Sequence, residues 1–212
     1  SVASADGKLV SESLHEVVQS MDLIIFDLET TGLSPAMHEI IQIAAVRMRV
    51  GVWREEEKFE TFVRPARRVP SFITGLTGIT QSDVAGAPLP AEALRAFSRF
   101  VGKESTMVAH NGGRFDVPFL RESCLRHRLA LRETTFIDSC GLSRQLWGGR
   151  GGHGLDAVMS RLGLSAAGLR RHDARGDVAL LGRAVSEMWQ RLQSQDQMRS
   201  IKMGSAQLPV LD

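Results

Sequence analysis

Two carboxylates end the apolar segment Leu23–Leu28, which the sequence pattern predicts to be a buried β-strand. Side chains alternate between the two faces of a strand, so Asp27 and Glu29 point to the same face. Leu23 and Ile25 precede them on that face, which is therefore buried further back. Two like charges in such a place repel each other and lose hydration, which suggests a bound cation. The alternative is that both acids lie beyond the sheet edge and meet water.

A third carboxylate, Asp116, follows the loop His110-Asn111-Gly112-Gly113. It precedes Pro118 and an apolar helical stretch, an arrangement typical of a helix N-cap. A cap does not require the glycine-containing loop in front of it, whereas such a loop allows a ligand to approach the backbone closely. The position of this residue alone leaves both interpretations open.

The fourth carboxylate, Asp177, lies near the start of a long helix predicted over 174–193. Counting back from Leu181 by helical spacing places Asp177 on the face that should enter the core, while Asp173 is the better N-cap. His172 lies just outside the helix. Its ordinary pKa of about 6.5 allows it to accept a proton at neutral pH, although a lone histidine is more often a surface residue.

The three places explain one another if the fold brings them together. Four gathered acids, Asp27, Glu29, Asp116 and Asp177, would repel too strongly to remain bare. Two divalent cations would neutralise them, and carboxylate oxygens suit Mg²⁺ or Mn²⁺. Such a pair of ions stabilises the attacking and the leaving oxygen in a displacement at phosphorus, with His172 as general base.

The other elements must bring these acids to one point. Three strands, followed by alternating helices and strands, favour an α/β or α+β domain with one mixed sheet. We expect an N-terminal helical extension (1–20), one main domain (21–195) and a C-terminal tail (196–212). Further strands are predicted at 39–48, 53–63, 105–109 and 136–137, and further helices at 9–20, 90–102, 117–128, 139–147 and 155–163.

Composition excludes several classes of protein. The 212 residues are 43 % hydrophobic and 24 % charged, as in ordinary globular domains. No apolar run approaches the roughly 20 residues that cross a bilayer, and residues 1–20 lack the pattern of a secretory signal, so we expect a cytoplasmic protein without a membrane segment. Two cysteines, Cys124 and Cys140, make neither a disulfide framework nor a zinc site.

At these acidic positions the sequence resembles the DnaQ-like, or DEDDh, exonuclease family, which includes the proofreading epsilon subunit of bacterial DNA polymerase III. FDLETTGL (26–33) is similar to the family's first motif, HNGGRFDVPFL (110–120) to the second and HDARGD (172–177) to the third. ITGLTGITQSDVAGAP (73–88) resembles the linking segment. The second motif departs from the family by one extra glycine, Gly112 or Gly113. The chain has no tyrosine, which excludes the subgroup with Tyr in place of His172.

The resemblance implies a ribonuclease-H-like, mixed five-stranded sheet flanked by helices. It also implies a metal-dependent 3′→5′ exonuclease that releases nucleoside monophosphates from a nucleic acid with a free 3′ end. His172 would be the base, and the four acids named above would bind the metals. The residues expected to contact substrate are Thr30, Thr31, Gly32, Leu33, His110, Asn111 and Phe115.

Substrate and partners are less constrained. Single-stranded DNA is the first expectation, in proofreading or repair, with RNA or short oligonucleotides as the alternative. A non-catalytic nucleic-acid-binding subunit on the same fold would require loss of a site residue, and none is missing. The tail QLPVL (207–211) resembles a sliding-clamp motif, which would make a clamp or a DNA polymerase a partner. Arginines expected near the phosphate backbone are Arg114, Arg150, Arg170 and Arg171, and WGGRGGHG (147–154) is either a flap or an ordinary loop.

Overall fold

The computed structural model describes residues 21–50, 54–165, 174–198 and 201–211. The predicted extension over 1–20, with its helix at 9–20, lies outside these residues. Within them, one sheet carries helices on both faces, as the sequence predicts. None of the helices in the described ranges combines the length and the apolar character that a bilayer crossing requires.

Six strands form the sheet. They are β1 (Asp22–Thr30), β2 (Ile40–Arg49), β3 (Arg54–Phe62), β4 (Thr106–Ala109), β5 (Leu131–Asp138) and β6 (Gly204–Pro209). Their order in space is β3-β2-β1-β4-β5-β6. The pairs β1–β4 and β4–β5 are parallel, and the other three pairs are antiparallel. The central strand β1 therefore pairs with β2 along its length and with β4 at Leu23–Ile25.

Seven helices occur in the described residues. They are α1 (Ser71–Thr77), α2 (Gln81–Ala85), α3 (Pro90–Val101), α4 (Asp116–Arg126), α5 (Ser139–Trp147), α6 (Leu155–Leu162) and α7 (Ala174–Ser194). Local signals set several of the ends. Thr80 and Asp83 form a reciprocal capping box at the start of α2, and Gly78 ends α1 in the left-handed conformation with φ 79°.

The two faces of β1 belong to two different cores, which is why its sequence is apolar without alternation. Leu23 and Ile25 lie in the cluster formed with α5, α6 and α7. Ile24, Phe26 and Leu28 lie in the cluster formed with α3 and α4. Each fully buried side chain of this kind stabilises the fold by about 1.5–3 kcal/mol. The strand that carries the first two acids is thus packed on both faces.

Strand β6 exceeds the expected five strands and comes from the segment that the sequence pattern assigned to the tail. It pairs antiparallel with β5, and Ala206 and Leu208 are fully buried. The Ser98 hydroxyl donates a hydrogen bond of 2.6 Å to the carbonyl of Pro209. Because Leu208 belongs to the core, the QLPVL segment does not present it to a sliding clamp.

Candidate active site

Asp27 and Glu29 lie at the carboxyl end of β1 and share the face of Leu23 and Ile25, as predicted, and α7 covers that face. The last residue pair between β1 and β4 joins Ile25 to Val108. Both acids therefore lie past the point where β4 stops pairing, and both are only half-buried. The sequence alone left open whether they would point into solvent beyond the sheet. They instead face a third acid.

That third acid is Asp177, in the first turn of α7. Carboxylate oxygens of Asp27, Glu29 and Asp177 lie within 4.8 Å of one another, and Asp177 is 9 % exposed. At this spacing each pair of charges repels by about 3–4 kcal/mol if the effective dielectric constant is about 20. Three hard, anionic oxygen donors in one place fit a divalent cation such as Mg²⁺ or Mn²⁺.

Asp116 approaches the same strand from the β4 side and does not belong to this three-carboxylate group. Its Oδ1 accepts a hydrogen bond of 3.2 Å from the backbone N–H of Leu28, the residue between Asp27 and Glu29. The N-cap interpretation of Asp116 is wrong. Phe115 occupies the cap position without a side-chain bond, and the Asp116 carboxylate contacts β1 instead.

Burial dominates the electrostatics of Asp116, which is 2 % exposed. Loss of hydration raises the pKa of Asp116 to about 7, and the nearby Asp138 carboxylate acts in the same direction. The backbone N–H groups of Asp116 and Leu28 counteract this rise by donating hydrogen bonds to the carboxylate. Without a cation, Asp116 is therefore partly protonated near neutral pH.

Asp138 is an organising residue that the sequence motifs did not reveal. Its carboxylate accepts backbone N–H groups of Asn111 at 3.0 Å, of Gly113 at 3.2 Å and of Cys140 at 3.0 Å. It thus joins the end of β5 and the start of α5 to the loop that leads to Asp116. An acid just before a predicted helix is an N-cap signal, and that signal could have identified its bond to Cys140.

At Gly112, the first glycine of the second motif, a side chain would clash with β4. A Cβ atom there would lie 2.5 Å from the Cβ of Ala109, the last residue of β4. At Gly113 the nearest atom would be an oxygen of Asp138 at 3.3 Å, a milder contact. The chain therefore turns tightly against β4 at Gly112 before it reaches Asp116.

The other second-motif residues predicted to bind substrate have different neighbours within the protein. Nδ1 of His110 lies 2.8 Å from the Ser139 hydroxyl, so this ring is bonded toward α5. Asn111 is exposed with φ 57°, a conformation that asparagine tolerates better than most residues. The ring of Phe115 packs against Phe119, with centroids 4.9 Å apart.

The first-motif loop is cross-linked by hydrogen bonds. Thr31 and Glu39 exchange two of them, N–H to carbonyl at 2.8 Å and N–H to hydroxyl at 2.9 Å. The Thr30 hydroxyl donates to the carbonyl of Gly32 at 2.7 Å. A side chain at Gly32 would clash with the ring of His38 at 2.4 Å. Leu33, at 84 % exposure, extends from this fixed loop into solvent.

The remaining predicted residues fall into two groups. His172, Arg170 and Arg171 lie outside the described residues. Arg114 and Arg150 are exposed. The glycine-rich loop that carries Arg150 is anchored at its far end, where Nδ1 of the buried His153 lies 2.7 Å from the Ser143 hydroxyl.

Comparison with known proteins identifies the family. Residues 24–184 match the family model RNase_T, described as "Exonuclease". The chain belongs to this exonuclease family. The match runs from β1 into α7 and so spans the three-carboxylate group and Asp116. The exonuclease family that the sequence motifs indicated is thereby confirmed.

Individual relatives agree with this family. The chain is 38 % identical over 179 residues to a DNA polymerase III subunit epsilon-like protein of Rhodobacter capsulatus, covering 82 % of the chain and 24 % of that protein. It is 36 % identical over 178 residues to a PolC-type DNA polymerase III of Latilactobacillus sakei, covering 84 % of the chain and 12 % of the polymerase. The chain thus spans a quarter or less of the length of these curated relatives.

Solved structures confirm the ribonuclease-H-like fold. The nuclease domain of 3′hExo, a DEDDh family member bound to rAMP, superposes with a TM-score of 0.73 at 22 % identity, covering 88 % of this chain and 98 % of that one. Exonuclease X in complex with 5′ overhanging duplex DNA superposes with a TM-score of 0.64 at 25 % identity, covering 80 % and 92 %.

Proposed function

We propose that this protein is a 3′→5′ exonuclease that hydrolyses the terminal phosphodiester of single-stranded DNA and releases nucleoside 5′-monophosphates. The observation that carries the proposal is the group formed by Asp27, Glu29 and Asp177, with Asp116 bonded to the same strand. This group lies next to the first-motif loop, which exposes Leu33 to solvent. A chain end can therefore approach the acids from solvent.

Asp27, Glu29, Asp177 and Asp116 would hold two divalent cations, Mg²⁺ or Mn²⁺. When bound, such ions supply charge neutralisation and Lewis-acid activation at phosphorus. The chain supplies the positions of the ligands. The β1 backbone fixes Asp27 and Glu29, the first turn of α7 fixes Asp177, and the N–H of Leu28 fixes Asp116.

His172 is proposed as the general base that accepts a proton from the attacking water, because it precedes α7 and Asp177 by a few residues. Replacement of a general base lowers the rate by roughly 10²–10⁴-fold. We expect His172→Ala to show such a loss while the cation still raises the melting temperature. A variant that keeps its rate but no longer responds to the cation would contradict this role.

The loop Thr30–Leu33 is proposed to bind the terminal nucleotide. Its backbone is held by the bonds between Thr31 and Glu39, and the exposed Leu33 can pack against a base. Asn111 and Phe115 are proposed to contact the same nucleotide from the other side. His110 would do so only through Nε2, because Nδ1 lies against Ser139.

RNA is the second candidate substrate, and it is supported by the structural similarity to a domain bound to rAMP. DNA is favoured because the curated relatives are named as DNA polymerase III proteins and because exonuclease X is in complex with DNA. A role in proofreading or repair, together with a polymerase, follows as part of the proposal. The buried Leu208 argues against a clamp contact through QLPVL.

The proposal is tested with 3′-labelled and 5′-labelled single-stranded DNA, duplex DNA and RNA, each with Mg²⁺, Mn²⁺ or EDTA. We expect immediate release of the 3′ label as a mononucleotide, progressive shortening of the 5′-labelled strand, and no reaction in EDTA. Internal cleavage products would indicate an endonuclease. Faster degradation of RNA than of DNA would make RNA the preferred substrate.

A further inference from the structure

Three exposed arginines stand close together in the loop that joins β3 to α1. They are Arg64, Arg67 and Arg68. Within the described part of the chain, none of their side chains has a hydrogen-bond or ion-pair partner. Arg47 shows the contrast, because it forms an ion pair with Asp22 at 3.4 Å. The three loop guanidinium groups therefore remain available to an anion.

The position of this loop is set by a buried acid, Glu39, which is 9 % exposed. Its Oε1 accepts the backbone N–H of Ala66 at 3.0 Å, and its Oε2 accepts that of Arg67 at 3.3 Å. A buried carboxylate requires donors or a cation. Here the backbone supplies the donors, so the guanidinium of Arg67 is not consumed by Glu39.

Glu39 also connects the arginine loop to the three-carboxylate group. Its own backbone exchanges two hydrogen bonds with Thr31, two residues beyond Glu29. On its other side, the arginine loop is held where the N–H of Arg64 donates to the carbonyl of Pro88 at 2.9 Å. Glu29 near the end of β1 and Phe62 at the end of β3 both pair with Gln42, so the arginine loop leaves the sheet at the same end as the acids.

A shallow hollow of about 410 Å³ opens beside Arg68. The side chains of Ser71 and Thr74 line it together with Arg68. Hydroxyl groups and a guanidinium are the donors that nucleic-acid phosphates accept from proteins. The surface next to the arginine loop can therefore add uncharged donors to the positive charge.

We propose that Arg67 and Arg68 bind phosphates of the nucleotides on the 5′ side of the terminal nucleotide. This inference rests on the proposed function and names a second contact region for the same substrate. A polyanionic strand that approaches an acidic site gains from fixed positive charge nearby, since each neutralised phosphate releases counterions. The loop would thus contribute to affinity for long strands and leave the chemistry at the terminal bond unchanged.

The test compares wild type with the double variant Arg67→Ala/Arg68→Ala on two substrates. One is an oligodeoxynucleotide about 20 nucleotides long, more than the roughly 4–16 nucleotides that a single-strand-binding OB-fold covers. The other is the p-nitrophenyl ester of thymidine 5′-monophosphate, which has one phosphodiester and no upstream strand. The control, Arg99→Ala/Lys103→Ala, removes the same charge from exposed residues at the opposite end of the strands, before the start of β4.

We expect the double variant to raise KM for the oligonucleotide by roughly tenfold, with kcat and hydrolysis of the ester unchanged. The salt dependence of log KM should weaken by about 1.4, because each single-strand phosphate contact contributes about 0.7. Arg67→Lys/Arg68→Lys should restore most of the lost affinity, and the control should behave as wild type.

An unchanged KM and salt slope would overturn the inference, and so would equal losses on both substrates or equal losses in the control. If wild type hydrolyses neither substrate, the proposed function fails, and the inference is then decided by binding alone. Fluorescence anisotropy of the labelled oligonucleotide, with Asp27→Asn as the background, measures that binding. Loss of affinity on removal of the two arginines supports the inference, and equal affinity rejects it.

Discussion

Carboxylates on the two sides of the acidic site have different surroundings. On the α7 side, Asp27, Glu29 and Asp177 have oxygens within 4.8 Å of one another. On the β4 side, Asp116 is 2 % exposed and bonded to the backbone of Leu28. Mutual repulsion is the main cost on the first side, whereas loss of hydration is the main cost on the second.

The two sides therefore lower their electrostatic cost in different ways. Asp116 can reduce its cost by taking up a proton, because burial raises its pKa to about 7. Among the three gathered acids the cost is mutual repulsion, which a bound cation would reduce. Cation binding should therefore stabilise the α7 side by neutralising repulsion, and it should displace a proton from Asp116 on the other side.

The largest effect is expected from Asp27→Asn or Asp177→Asn. Each change removes one charge from the three-carboxylate group and should lower exonuclease activity by about 10³-fold or more. The cation-free protein should become more stable, because repulsion falls. Label-release assays and thermal unfolding with and without Mn²⁺ measure the two effects. Full activity in either variant would remove these residues from the metal site.

Asp116→Asn removes the charge of Asp116 without removing its hydrogen bond, because asparagine keeps an oxygen that can accept from the N–H of Leu28. Activity should fall strongly, while the cation-free protein at pH 8 gains about 1–3 kcal/mol because a buried charge is removed. This gain corresponds to roughly 2–4 °C in Tm per kcal/mol for a chain of this size. Asp116→Ala should instead lose stability, since it leaves that N–H without its acceptor. If both variants melt alike, the hydrogen bond to Leu28 contributes nothing.

Gly112→Ala tests the turn that positions Asp116. The added Cβ would lie 2.5 Å from that of Ala109, so we expect a cost of about 1–3 kcal/mol and reduced activity. Gly113→Ala is the matched control, because its nearest contact is 3.3 Å from an oxygen of Asp138. Chemical denaturation of both variants gives the difference. An equal loss in the two would show that the contact with β4 does not set the turn.

The smallest effect concerns pH. The folded pKa of Asp116, about 7, lies above the unfolded value of 3.8, so the folded state binds more protons between these values. Stability of the cation-free protein should therefore fall as pH rises through this window and stay low above it. The rise in Tm caused by Mn²⁺ should accordingly grow between about pH 5 and pH 8. Asp116→Asn should flatten this dependence, and a steep dependence in that variant would assign it to another group.

Patterns of apolar residues were sufficient for most of the fold. The helix predicted over 139–147 is α5, and the one predicted over 174–193 ends one residue later as α7. Strand β6 was missed because only Ala206 and Leu208 of GSAQLP are apolar side chains turned into the core, too few to make a periodic signal. Strand β5 was predicted over two residues only, since charged residues occupy its first half.

At the site, residue type and spacing predicted four gathered acids, of which the structure groups Asp27, Glu29 and Asp177 and leaves Asp116 outside the group, bonded to Leu28. The face shared by Asp27 and Glu29 follows from strand geometry, and that of Asp177 from helical spacing. The bond from Leu28 to Asp116 joins residues 88 positions apart, and the three bonds to Asp138 use backbone donors. Every residue type except proline carries a backbone N–H, so the residue types do not reveal these contacts.

The last strand has a consequence for shortened versions of the chain. Strand β6 covers the outer edge of β5, whose final residue, Asp138, holds the loop that carries Gly113. A protein cut after residue 203 would expose the N–H and C=O groups of β5 along six paired residues. Such an open edge invites pairing with other molecules. Aggregation, rather than a soluble inactive enzyme, is the expected fate of that truncation, even though it removes none of the acids of the site.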